Sequence, residues 1–184
     1  MDVYILDGDL NRVRGFDTVH PDGLDRLQPF DTSPMAPTWR PVEVFVHDED
    51  LALPASDFSR LGGGYVFSER AAEALGDLLL GRGELLELDY GEAVYFVFNV
   101  TRSVDALDEE RCQIEYLPSG RIMEINRFEF IPERLAGETI FKLPQRPGRW
   151  VFVTDPFIRR VEEAGLTGFL FERRVWSGPV PAAS

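Results

Sequence analysis

At 184 residues, with 44% hydrophobic and 12% aromatic side chains, the chain suffices for one packed domain. It has no run near the roughly 18 apolar residues of a membrane span. The formal charge of −13 disfavours nucleic acid and anionic membrane, because phosphate binding needs clustered bases, and favours basic partners. The lone Cys112 excludes an intrachain disulfide and a multi-cysteine metal site.

Residues 1–60 hold 12 acids against 5 bases, and residues 84–110 hold 8 acids against Arg102 alone. From Arg121 onward there are 10 bases against 8 acids, so the acidity is regional. Met1 to Leu6 reads as a first strand, with no basic segment ahead of an apolar one. No secretory signal is therefore expected, and the expected location is the cytoplasm.

Asp7 to Arg60 reads as a loop-rich N-terminal lobe, because Pro21, Pro29, Pro34, Pro37 and Pro41 break any long element. One strand, Val42 to Val46, interrupts it, and Phe16, Phe30, Trp39 and Phe45 are its packing aromatics. Leu61-Gly62-Gly63-Gly64 reads as a hinge, dividing the chain into a lobe over 1–60 and an α+β core over 61–184.

Tyr65-Val66-Phe67 suits a strand, being aromatic and β-branched. Ser68 is positioned to cap a helix whose apolar stripe is Ala71, Ala72, Leu75, Leu78 and Leu79. Gly81 and Gly83 stop it. Glu84 to Leu88 and Ala93 to Val100 read as strands, the second too apolar to face water on both sides. Asp105 to Arg111 is a polar turn or short helix. Gln113–Leu117 and Arg121–Phe130 form a hairpin around Pro118-Ser119-Gly120.

Pro132 to Leu135 gives one helical turn, Thr139 to Leu143 a strand, and Gln145 to Arg149 a turn. Trp150 to Val153 is a strand leading into a helix with Asp155 as N-cap and Pro156 at the first position. Phe157, Ile158, Val161 and Ala164 form its stripe, and Gly165 ends it. Gly168 to Val175 returns as a strand, and the Pro-rich tail from Gly178 to Ser184 frays. The fold class is α+β: a mixed, mostly antiparallel sheet of about seven or eight strands with two main helices.

The candidate chemical motifs each fail on spacing. Asp7-Gly8-Asp9-Leu10-Asn11 starts like a calcium loop, but Arg12 stands where glycine is needed and Thr18 where a bidentate Glu belongs. His47-Asp48-Glu49-Asp50 sets one imidazole beside three carboxylates, yet His20 is the only other histidine. No Gly-Lys-Ser/Thr follows the triple glycine, and no Gly-x-Ser-x-Gly elbow exists. Adjacent acids such as Glu109/Glu110 and Glu162/Glu163 arise readily among 32 carboxylates. Asn99-Val100-Thr101 fits a glycosylation sequon but falls in an apolar strand. No catalytic residue, cofactor or metal is expected.

Several short runs in order carry a family resemblance. They are Tyr65-Val66-Phe67-Ser68, Gly83-Glu84-Leu85-Leu86-Glu87-Leu88, Tyr95-Phe96-Val97-Phe98-Asn99-Val100, Val104-Asp105-Ala106-Leu107-Asp108, Ile140-Phe141-Lys142-Leu143-Pro144, Phe152-Val153-Thr154-Asp155-Pro156-Phe157 and Glu163-Ala164-Gly165-Leu166-Thr167-Gly168. Over about residues 40–177 the chain resembles the myxobacterial-type immunity proteins of bacterial polymorphic-toxin systems. The resemblance implies a non-enzymatic protein that binds and neutralises a toxin encoded beside it. It implies no catalytic residues, and it leaves Lys142 either paired with Asp105 or Asp108 or facing a partner.

The acidity suits an inhibitor of a basic protein such as a nuclease. Expected toxin-facing groups are Asp48, Glu49 and Asp50, and Asp105, Asp108, Glu109 and Glu110, with Trp39 and Trp176 as aromatic anchors. The competing reading of both patches is a solvated acidic surface. Two further classes stay open on sequence: a carboxylate-based hydrolase whose acids meet only in the fold, and a small-ligand or regulatory module.

Overall fold

The computed structural model describes residues 1–9, 11–28, 30–91 and 93–179. Pro29, Leu10 of the calcium-like loop, residues 180–184 of the tail and the side chain of Glu49 lie outside that description.

The chain begins with β1 (Asp2–Ile5), β2 (Asp7–Gly8), β3 (Asp17–Thr18) and α1 (Pro21–Arg26). It continues through β4 (Val42–Phe45), β5 (Phe58–Leu61), β6 (Gly64–Ser68) and α2 (Glu69–Leu79). Then come β7 (Gly83–Asp89), β8 (Tyr95–Val100), β9 (Gln113–Tyr116), β10 (Ile122–Arg127), β11 (Ile140–Phe141) and β12 (Phe152–Thr154). Last are α3 (Asp155–Glu163), β13 (Phe169–Leu170) and β14 (Arg174–Ser177).

The α+β class and the mixed, mostly antiparallel pairing hold, but the strands divide among several sheets. The largest has six strands in the order β3-β4-β7-β8-β6-β5, with β4 and β7 parallel. A four-stranded antiparallel sheet runs β11-β12-β1-β14, and two-stranded ribbons pair β9 with β10 and β2 with β13. α1, inside the stretch expected to be irregular, is a third helix among the described residues. It starts at Pro21, where the missing amide costs nothing, and carries Asp22 in its first turn.

Period-two alternation distributes the six-stranded sheet between two cores. Tyr65, Phe67, Phe98 and Val100 face α2 and α3, meeting Leu75, Leu79, Phe157 and Val161. Val66, Val97, Leu86 and Leu88 face the other side with Val42, Val44, Leu27 and Phe30. β8 is therefore buried on both faces, as its apolar run predicts. A third core joins Val3, Ile5, Phe141 and Phe152 of the four-stranded sheet to Phe128, Phe130 and Trp150.

α2 forms as its sequence predicts. Ser68 accepts a hydrogen bond from the Ala71 amide at 3.1 Å, Ala71, Ala72, Leu75 and Leu79 are buried, and Gly81 takes φ +72° just beyond. Gly83 plays a different part from a stop: it opens β7, where an added Cβ would sit 2.3 Å from the Asn99 carbonyl oxygen. The expected β9–β10 hairpin is present, turned at Gly120 with φ +79°.

Other expectations need correction. The glycine run expected to flex is a tight hairpin turn: Leu61 pairs with Gly64, and Gly62 takes φ +56°. Asp155 is not the cap of α3. The chain is still extended at Thr154, so Thr154 occupies the cap position and its hydroxyl donates to the Glu138 carbonyl at 2.7 Å. The Asp155 carboxylate accepts instead from the Asp2 amide at 3.0 Å. The single strand expected over 168–175 is two, because β13 pairs with β2 and β14 with β1.

Candidate partner-binding surfaces

The first acidic patch follows β4. Asp48 to Ala52 forms a 3₁₀ turn in which the Asp50 amide donates to the His47 carbonyl at 2.9 Å. His47 packs edge-on against Phe45, and its Nε2 lies within hydrogen-bond distance of Asp17 Oδ2 at 3.2 Å, so the imidazole is engaged by a surface carboxylate. The Arg14 guanidinium secures the loop by donating to the Leu53 and Leu51 carbonyls at 2.8 and 3.0 Å. Among the described residues no group of three or more His, Cys, Asp or Glu side chains could hold a metal.

The second patch lies between β8 and β9. Asp105 is exposed, faces Arg134 at 3.2 Å and accepts from Gln145 Nε2 at 2.9 Å. Glu109 accepts from the same Gln145 nitrogen at 3.0 Å. The Asp108 amide donates to the Glu129 carbonyl, and its own carbonyl accepts from Arg111 and Cys112. Asp108 is half-buried and Glu110 exposed.

The structure treats the two tryptophans differently. Trp176 stands edge-on to Phe130 and donates to Glu129 Oε2 at 3.2 Å, so Glu129 links it to the segment carrying Asp108. Trp39 donates to the Glu87 carbonyl at 2.9 Å with Arg26 over its ring. It precedes β4 whereas Asp48 follows it, so the strand's length separates this ring from the first patch.

Lys142 pairs with neither Asp105 nor Asp108. It is 3% exposed, and its ammonium donates to the Phe30 carbonyl. Burial pulls its pKa down to about 8. Nearby, Asn99 is fully buried and donates to the Ser33 carbonyl at 2.9 Å and Glu84 at 3.0 Å, while Glu84 accepts from the Met35 and Ala36 amides. Together they fasten the 30–36 loop over the sheet. Burial of Asn99 also leaves the sequon no accessible amide. Cys112 is half-buried, and burial pushes its thiol pKa up, which disfavours the reactive thiolate.

Two concave features were not foreseen from sequence. One is a cleft of about 700 Å³ between the β9–β10 tip and the 145–149 turn, with Arg121, Arg146 and Arg149 in its wall. Exposed Tyr116 forms part of the same wall, and Leu117 and Met123 of the ribbon are also exposed. The other, of about 150 Å³, lies where β7 turns into β8 and is walled by Phe16, Tyr90 and Tyr95. These rings meet edge-on with centroids 4.8 to 5.8 Å apart. Phe16 precedes β3, Tyr90 follows β7 and Tyr95 opens β8, so sheet order alone brings them to one end.

The described surface thus carries two acidic segments, an arginine-lined cleft and an aromatic recess around the sheet scaffold. The sequence profile of the immunity protein family (Imm11) matches residues 24–175, and the chain belongs to that family. A search of curated proteins found no match. No helix among the described residues is long and apolar enough to cross a membrane.

Proposed function

We propose that this protein binds a cognate toxin encoded beside it and neutralises it as a stoichiometric, non-catalytic inhibitor in the cytoplasm. The observation that carries this reading is the immunity-family match over residues 24–175. The −13 charge supports a basic toxin, a nuclease being one class that must carry bases to hold its substrate. Asp48, Glu49 and Asp50, with Asp105, Asp108, Glu109 and Glu110, are the proposed steering groups. Such rim charges set association rate and register more than final affinity. Trp176, tied to the second patch through Glu129, is the better placed of the two aromatic anchors.

Co-expression with the product of the adjacent gene, followed by size-exclusion chromatography at low and high salt, tests the proposal. The expected result is a complex of fixed ratio, a neighbour toxic alone and harmless together, and an association rate that falls with salt. No complex and no relief of toxicity would refute it.

A further inference from the structure

The cleft between the β9–β10 tip and the 145–149 turn runs against the sign of the molecule. In a chain of formal charge −13, its wall carries Arg121, Arg146 and Arg149 against one acid, Glu109. That acid already accepts from Gln145 Nε2 at 3.0 Å. The volume of about 700 Å³ lies within the roughly 300–1,000 Å³ of ligand sites, room for several side chains.

Two of the guanidinium groups are held in place by the fold. Arg146 and Arg149 lie over the ring of buried Trp150, 6.0 and 5.1 Å from its centroid. Arg146 donates through Nη1 to the Ile122 and Met123 carbonyls, and Arg149 donates through Nη2 to Glu124 Oε2 at 2.9 Å. Each uses one nitrogen, so the other two of each group have no hydrogen-bond partner among the described residues. The Arg121 side chain makes no hydrogen bond or ion pair among the described residues. A guanidinium carries five N–H donors in a planar fork that matches a carboxylate two bonds at a time. The cleft therefore presents unused donors and positive charge on a fixed base.

What flanks the cleft points to the source of the anion. Tyr116 in its wall, and Leu117 and Met123 of the ribbon, are exposed. Arginine, aromatic residues and methionine are the types enriched where proteins meet. A phosphate polymer is disfavoured, because Glu115 and Glu124 of the ribbon and Glu109 of the wall would repel its successive charges.

We propose that this cleft takes the carboxylate side chains of an acidic segment of the protein partner, with apolar residues of that segment against Tyr116, Leu117 and Met123. That the partner is a toxin rests on the proposed immunity function; the chemistry of the cleft does not. Glu109 belongs both to the second acidic patch and to the cleft wall, so negative and positive surface adjoin there. A partner that must match both signs is held to one orientation, which acids alone do not specify.

The test uses the full-length protein in two arms. In the first, acetyl-hexaglutamate-amide is titrated against the ¹⁵N-labelled protein, with acetyl-hexa-arginine-amide and inorganic phosphate as controls at matched ionic strength. The glutamate peptide is expected to give saturable shifts at the Gly120, Ile122, Gly148 and Arg149 amides, and these should vanish in Arg121→Glu. No shift at those amides would overturn the proposal. The same shifts from the arginine peptide, or from phosphate at equal or lower concentration, would overturn it too.

In the second arm, Arg121→Glu is expected to weaken binding of the adjacent-gene toxin about tenfold or more. Arg159→Glu makes the same change of charge at an exposed position of α3 and should leave that binding intact. Wild-type affinity in Arg121→Glu, or an equal loss in both variants, would overturn the cleft as a docking site while leaving the immunity function standing. If the wild-type protein binds no toxin, the immunity reading fails and the glutamate-peptide titration still decides the cleft.

Discussion

Replacing Lys142, the only lysine in the chain, by methionine should abolish a specific pH dependence of stability. In the fold its pKa is about 8, against an ordinary 10.5. Between those values the unfolded chain holds a proton that the folded chain has released, so stability rises with pH through that window. The slope approaches about 1.4 kcal/mol per pH unit, giving the wild type a gain of about 2 kcal/mol between pH 8 and 9.5. Below pH 8 the buried ammonium is charged in both states, and its cost is borne in full. Tyr4, Tyr65 and Tyr95, whose pKa values burial raises, act in the opposite direction near pH 10. They are common to both proteins and cancel in the difference. Urea unfolding of wild type and Lys142→Met at pH 7, 8, 9 and 9.5 reads the effect directly. The wild-type-minus-variant difference should be flat from pH 7 to 8 and climb by about 2 kcal/mol above it. A flat difference throughout would show that Lys142 keeps its proton in the fold, and would refute the reasoning.

Three further changes probe particular contacts. Gly83→Ala places a methyl 2.3 Å from the Asn99 carbonyl and 2.6 Å from the Phe98 ring, and should cost about 1–3 kcal/mol in urea unfolding as β7 and β8 are forced apart. Ser68→Ala removes the cap of α2 and the hydroxyl's bond to Asp57, with an expected loss of about 1–2 kcal/mol and earlier exchange of the Ala71 amide. Glu138 is 6% exposed and engages Arg102 through its Nε at 3.0 and 3.1 Å. Glu138→Gln should lower stability by about 2–3 kcal/mol at neutral pH, less than for a fully buried pair because Arg102 is half-exposed, and a thermal midpoint equal to wild type would contradict it.

Elements written in local chemistry were legible in the sequence. Ser68 before a 3.6-period stripe specifies α2, and Pro118-Ser119-Gly120 between alternating runs specifies the β9–β10 turn. What failed depended on residues distant in sequence. Asp155 looks like a cap, but the Asp2 amide, 153 positions away, claims its carboxylate. Lys142 looks like a surface charge, but it is buried and its ammonium donates to the carbonyl of Phe30, 112 positions away. α1 was hidden by the prolines around it, although Pro21 itself is a start signal. The aromatic recess was unreadable because Phe16, Tyr90 and Tyr95 meet only once β3, β4, β7 and β8 are in order. The acidic segments themselves were visible; the rings and the arginine-lined cleft that give them company were not.

The pairing of β1 with both β12 and β14 has a consequence in time. Every strand of the six-stranded sheet lies within residues 17–100, so that sheet can assemble while the ribosome is still at work. β1 precedes that sheet in the chain, and its strand partners among the described residues, β12 and β14, come only at residues 152–177. Contacts of such long sequence separation form slowly. Each new molecule therefore passes through an interval in which one half is built and its first strand is an unpaired edge, open to false partners. Under the proposed immunity function, that interval would set how far synthesis must run ahead of the toxin.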